Sequence, residues 1–143
     1  MLRRLFVLAP QVASAVLLAT LSAYADSATT RNKTVSPDGI ERTILESHID
    51  AAGNEFRLMM VTYPPGVGLP AHHHPSTALN YVLDGAAESQ YAGKDFHVFK
   101  AGDTFQDEPD REHTIFRNAS QDKPLTYLIT FTVKAGESFL LIP

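Results

Sequence analysis

A chain of 143 residues, 44% of them hydrophobic, has room for one ordinary domain built around one core. It contains no cysteine, which excludes disulfide staples and thiolate metal sites. Its net charge of −4, from 16 acidic and 12 basic residues, argues against nucleic acid as a partner, because phosphate affinity rests on clustered Lys and Arg.

The first segment reads as an export signal. Arg3 and Arg4 open it, an apolar run follows from Leu5 to about Ala23, and Ala23-Tyr24-Ala25 closes it before Asp26. This is the three-part layout of a cleaved secretory signal peptide, so residues 1–25 are expected to be removed. The run is long enough to span a bilayer, but the small-residue cleavage site favours removal. The expected product is periplasmic or secreted, with no stable membrane span. Arg3-Arg4-Leu5-Phe6 also has the shape of a twin-arginine export signal.

Residues 26–39 are polar and end in the turn Pro37-Asp38-Gly39, which predicts a flexible leader before a domain over 40–143. Within the domain, turn signals recur roughly every ten residues, which suits strands and not helices. They include Ala52-Gly53-Asn54, Pro64-Pro65-Gly66, Asp84-Gly85, Ala101-Gly102-Asp103 and Asp122-Lys123-Pro124. Ile40 to Ile49 alternates poorly between apolar and polar residues. Phe56 to Tyr63 is apolar on both faces, as in a strand covered twice, and this is compatible with a homodimer. Near the end, Leu125, Tyr127, Ile129, Phe131 and Val133 share one face, and Thr126, Thr130 and Thr132 share the other with Leu128. The class is all-β, one domain, a sandwich or a barrel.

Six histidines are present, and three are consecutive in Ala71-His72-His73-His74-Pro75. On a strand His72 and His74 face one way and His73 the other. Pro75 holds His74 toward an extended backbone. Two imidazoles so placed can reach one ion, with metal–nitrogen bonds of about 2.0–2.1 Å for zinc. A third ligand is needed, and His113 opens another apolar strand, His113 to Asn118, that can lie antiparallel beside the first. His48 and His97 read as structural. Asp107, Glu108, Asp110 and Glu112 lie in a turn-rich stretch and read as a solvated loop.

The stretch from Pro65 to Gly85 resembles the first cupin motif: Gly66, five residues, His72-x-His74, and a closing Gly85. Ala101-Gly102-Asp103, with His113 eleven residues after Gly102 and Asn118 beyond it, resembles the second. The resemblance runs from about Phe56 to Val133. It implies a single cupin-type antiparallel β-barrel, jelly-roll-like, with one divalent metal ion held by His72, His74 and His113.

The departures from the motif are specific. The metal-binding glutamate of the family falls at Ala78, which has no donor atom, and Asp110 and Glu108 replace a glycine and a proline of the second motif. What remains is a three-histidine site, as in some cupin dioxygenases. Asn80 shares the inward face of Ala78, either as a hydrogen-bonded core amide or as a partner of the site. Gln106 and Tyr127 are the other pocket candidates.

Imidazole suits Zn, Cu, Fe and Ni alike, and Mn is a further candidate for a protein loaded before export. Three functions are compatible with this reading. One is a metal-dependent oxygenase acting on a small organic molecule. Another is a non-catalytic ligand- or metal-binding module. The third, a sugar isomerase or epimerase, needs a positioned acid and base, and no such pair stands out.

Overall fold

A computed structural model of the chain describes residues 32–143. The signal peptide, the export reading and residues 26–31 of the expected leader lie outside the described residues. Ten strands follow in order: β1 (Lys33–Val35), β2 (Glu41–Ile49), β3 (Asn54–Tyr63), β4 (Gly68–Leu69), β5 (Ala78–Asp84), β6 (Ala86–Tyr91), β7 (His97–Lys100), β8 (Thr104–Asp107), β9 (His113–Asn118) and β10 (Leu125–Lys134). Among the described residues there is no helix, hence none long and apolar enough to cross a membrane.

β10 follows its alternation. Leu125, Tyr127, Ile129, Phe131 and Val133 are buried, while the residues between them are half-buried or exposed. It pairs with β3 along its whole length, from Leu125 opposite Tyr63 to Lys134 opposite Asn54. These two strands form the centre of a six-stranded antiparallel sheet ordered β1-β2-β3-β10-β5-β8. A second sheet, β4-β9-β6-β7, faces it.

Two expectations are corrected, and one irregularity of the sequence is explained. The sheets do not close into a barrel and remain two facing layers, a jelly-roll sandwich. Closure requires continuous pairing around the ring. The edge strands β1, β4, β7 and β8 are only two to four residues long, too short to carry it. The order also begins earlier than the expected leader boundary, since Lys33–Val35 pairs with Glu41–Thr43 and Ile40 is fully buried. Finally, the irregular pattern of Ile40 to Ile49 has a structural cause. The β2–β3 register shifts between Ile44 and Glu46, so Leu45 is an extra residue. Such a bulge swaps the faces of everything after it and erases a period-two pattern.

The core lies between the sheets. Val61, Tyr63, Tyr127 and Ile129 of the large sheet meet Ala87 and Phe116 of the small one. Tyr63 meets Phe116 edge-on, with ring centroids 5.6 Å apart. β3 buries Val61 and Tyr63 inward, but Phe56 and Leu58 on its outer face are 47% and 37% exposed. The second apolar face of this strand is therefore not covered by the described residues. Gly85 is the corner at which the chain passes from β5 in one sheet to β6 in the other. Its φ is +81°, and a Cβ there would lie 2.5 Å from the Pro124 carbonyl oxygen, so only glycine fits.

Candidate metal centre

The histidine segment lies between β4 and β5 and is extended, as Pro75 requires of its predecessor. His72 and His113 form an antiparallel bridge, exchanging both backbone hydrogen bonds at 3.2 and 2.8 Å. His73 pairs instead with Leu141, and its side chain leaves the site. The alternation expected of a strand thus sends His72 and His74 inward, beside His113. One ring nitrogen from each of the three lies within 4.8 Å of the other two, and all three residues are buried.

Each ring is aimed by its other nitrogen. His72 Nδ1 donates to the Pro70 carbonyl at 2.8 Å, and His74 Nδ1 donates to the Phe139 carbonyl at 3.2 Å. A carbonyl only accepts, so both Nε2 atoms are left as bare lone pairs. His113 Nε2 shares a 2.8 Å hydrogen bond with Ser89 Oγ, and its Nδ1 is buried with no partner. An unpaired buried polar atom costs about 1–3 kcal/mol, which a bound cation would relieve.

The electrostatics prepare the rings as ligands. Burial pushes the His113 pKa down to about 3, and the adjacent His72 and His74 rings add to the effect. Burial also lowers that of His72, partly offset by its bond to Pro70. Near neutral pH both rings are uncharged, the form that binds a metal. The residues present therefore fit a divalent ion.

The other sequence candidates separate. Asn80 is buried beside the site, but its side-chain oxygen has no hydrogen-bond partner. Tyr127 is buried and lines the cavity described below. Gln106 does not join them: β8 buries Phe105 and Asp107 and turns Gln106 to solvent. His48 and His97 are exposed, away from the centre.

The reading of Asp107 as part of a solvated loop is corrected. Asp110 is exposed, but Asp107 is only 4% exposed. Asp107 Oδ1 lies 3.8 Å from His74 Nε2 and 4.0 Å from His113 Nδ1. Tyr91 donates its phenol hydrogen to Oδ1 at 3.0 Å, and Asn80 Nδ2 donates to Oδ2 at 3.1 Å. The Tyr91 ring also stacks on His113, with centroids 3.9 Å apart. The signal for Asp107 was present in Phe105-Gln106-Asp107, where a core phenylalanine two residues earlier fixes its face.

The group opens into a cavity of about 300 Å³ between the sheets. Its walls include Met59, Val61, Phe105, Phe116, Ile129 and Phe131, with Arg42 and Arg57 as cationic groups. Arg57 is already held by Glu55 through two 2.6 Å hydrogen bonds. Arg42 donates to Ser36 Oγ at 3.3 Å, and no carboxylate among the described residues lies within salt-bridge distance of it.

Comparison with known proteins agrees with this architecture. A sequence model of the cupin domain matches residues 59–131, just over half of the chain. An RmlC-like cupin from Shewanella frigidimarina superposes with a TM-score of 0.58 at 18% identity, covering 75% of this chain and 87% of that one. The DMSP lyase DddQ from Ruegeria pomeroyi gives 0.50 at 23% identity, covering 58% of this chain and 41% of the lyase. The oxalate decarboxylase OxdC from Bacillus subtilis, in a mutant form, gives 0.54 at 21%, covering 71% and 29%. The chain thus spans well under two thirds of either enzyme, and at these identities the likeness is one of fold. Comparison with curated proteins finds no match.

Proposed function

This chain belongs to the cupin family, and on that premise we propose that it is an exported metal-binding cupin, a metal-dependent dioxygenase for a small anionic organic substrate. The observation that carries this reading is the convergence of the inward His72, His74 and His113 nitrogens on a largely apolar cavity. One divalent ion (Fe, Mn, Ni, Cu or Zn) would be held there. When bound it supplies Lewis acidity and, if redox-active, activation of dioxygen. The balance needs no outside reductant: both oxygen atoms enter the substrate, which supplies the electrons.

The protein's own residues supply binding and exclusion of water. Arg42, with no carboxylate within salt-bridge distance among the described residues, is the group to pair with an anionic substituent of the substrate. Phe105, Phe116, Ile129 and Phe131 keep bulk water away from the reacting end. Burial raises the pKa of the Tyr127 phenol well above its ordinary range, with the neighbouring Tyr63 adding to the effect, so it stays protonated as an uncharged wall of the cavity. Export is part of the proposal, carried by Ala23-Tyr24-Ala25.

Oxygen uptake by the metal-loaded protein, measured across a panel of small chelating carboxylic acids, tests the proposal. Metal-dependent uptake, one O₂ per substrate consumed, is the expected result. Thermal stabilisation by one of these acids without oxygen uptake would replace the enzyme by a binding module.

A further inference from the structure

The family motif places a carboxylate at position 78, where this chain has alanine. Ala78 is fully buried on β5, and in the β5–β8 register its direct cross-strand partner is Asp107. Directly opposed residues in a sheet project to the same face. We propose that Asp107 supplies the carboxylate ligand of the histidine-held ion, entering from β8 in place of the side chain missing from β5. This rests on the three-histidine reading above.

Three independent observations support it. Asp107 Oδ1 approaches His74 Nε2 and His113 Nδ1, at 3.8 and 4.0 Å, and these are the nitrogens left over after each ring is anchored elsewhere. The carboxylate is also held as a ligand must be, with Tyr91 donating to one oxygen and Asn80 to the other. Ligating carboxylates are hydrogen-bonded in this way, which fixes their direction. Tyr91 aims the carboxylate and stacks on the His113 ring, so one side chain orients two members of the set.

The third observation is charge. No Lys or Arg among the described residues lies within salt-bridge distance of Asp107. Among the same residues its only charge-bearing neighbours at that distance are His74 and His113, so a divalent ion between it and the histidines would supply the cation that the site lacks. The consequence is functional. With one carboxylate and three neutral imidazoles, a divalent ion held there would have a net charge of +1 with its ligands and be a weaker Lewis acid than a bare three-histidine site would give.

The test uses the full chain without an affinity tag. Co²⁺ affinity, by competition with a chelator, and the visible spectrum of bound Co²⁺ are compared for the parent, Asp107→Asn and His113→Ala. Asp107→Asn is expected to lose more than the ~10–100-fold that removal of an outer-sphere partner costs, with a shifted spectrum. An unchanged spectrum in folded Asp107→Asn, at any affinity, overturns ligation and leaves Asp107 a positioning residue. Should that variant not fold, the infrared difference between Zn²⁺-loaded and metal-free parent decides. A shifted carboxylate band supports the proposal, and its absence overturns it. His113→Ala separates the two readings: if it binds Co²⁺ as the parent does, the histidine site itself fails.

Discussion

Placing a proton on His113 inside the folded protein charges a ring that is only 1% exposed and packed against two other imidazoles. In the unfolded chain a histidine titrates near its ordinary value of 6.5, and in the fold His113 is held down to about 3. Between those values the unfolded chain binds more protons than the native one, so stability rises with pH across the window and is lost as pH falls through it. His72 shifts in the same direction. The melting temperature of the metal-free protein, measured with a chelator present, should therefore fall from pH 6.5 toward pH 4. The carboxylates of Glu55 and Asp38, held below their ordinary range chiefly by hydrogen bonds from Arg57 and Ser36, act only at the acid end of this range. A melting temperature flat between pH 7 and 5 would contradict the burial of neutral imidazoles. At this scale His72, His74 and His113 were legible, because two lie two residues apart on an extended segment ended by proline. Gln106 and Asp107 were misread for one reason: the turn-rich residues that follow hid the short strand β8, so the face that Phe105 fixes was not carried on to Asp107.

The turn between β8 and β9 shows how an element carries a family feature with a different residue. Cupins have a glycine where this chain has Asp110, and Asp110 sits at φ +60°, in the left-handed region. Aspartate is among the few non-glycine residues that tolerate this conformation. Its backbone N–H donates to the His74 carbonyl at 3.0 Å, and Pro109 bridges His74 alongside, so the turn fixes the segment that carries the ligands. In urea denaturation Asp110→Gly should be as stable as the parent or more so. Asp110→Val, whose branched side chain opposes positive φ, should lose about 1–2 kcal/mol. A valine variant as stable as the parent would show that the turn does not need this backbone conformation.

Asn118, one residue beyond its place in the motif, is fully buried and acts as a hub. Its Nδ2 faces the carbonyls of Tyr63, Pro64 and Lys123, and its Oδ1 accepts from the Ser120 N–H. Among the strands, β10 was readable because nothing interrupts its alternation. β2 was not, because one bulged residue reverses the pattern midway.

Across the whole molecule, the all-β class and most strand positions follow from turn spacing, but the pairing of the two sheets does not. Closure is decided by short edge strands far apart in sequence, such as β4 and β8, and no local pattern reports whether they meet. The cavity is legible only after the sheets are stacked, because its walls come from β3, β8, β9 and β10 together with Phe139 near the C-terminus. The sandwich brings Arg42 from β2 to the same cavity as three histidines from the opposite layer and its connections. This convergence makes the metal centre the claim on which the rest depends. Elemental analysis of the untagged protein and of His113→Ala, prepared in parallel, tests it most directly. The account predicts about one divalent transition-metal ion per parent chain, lost in the variant while the fold persists. A folded parent that carries no metal and takes none up when offered Fe²⁺, Mn²⁺, Ni²⁺, Cu²⁺ or Zn²⁺ would contradict it.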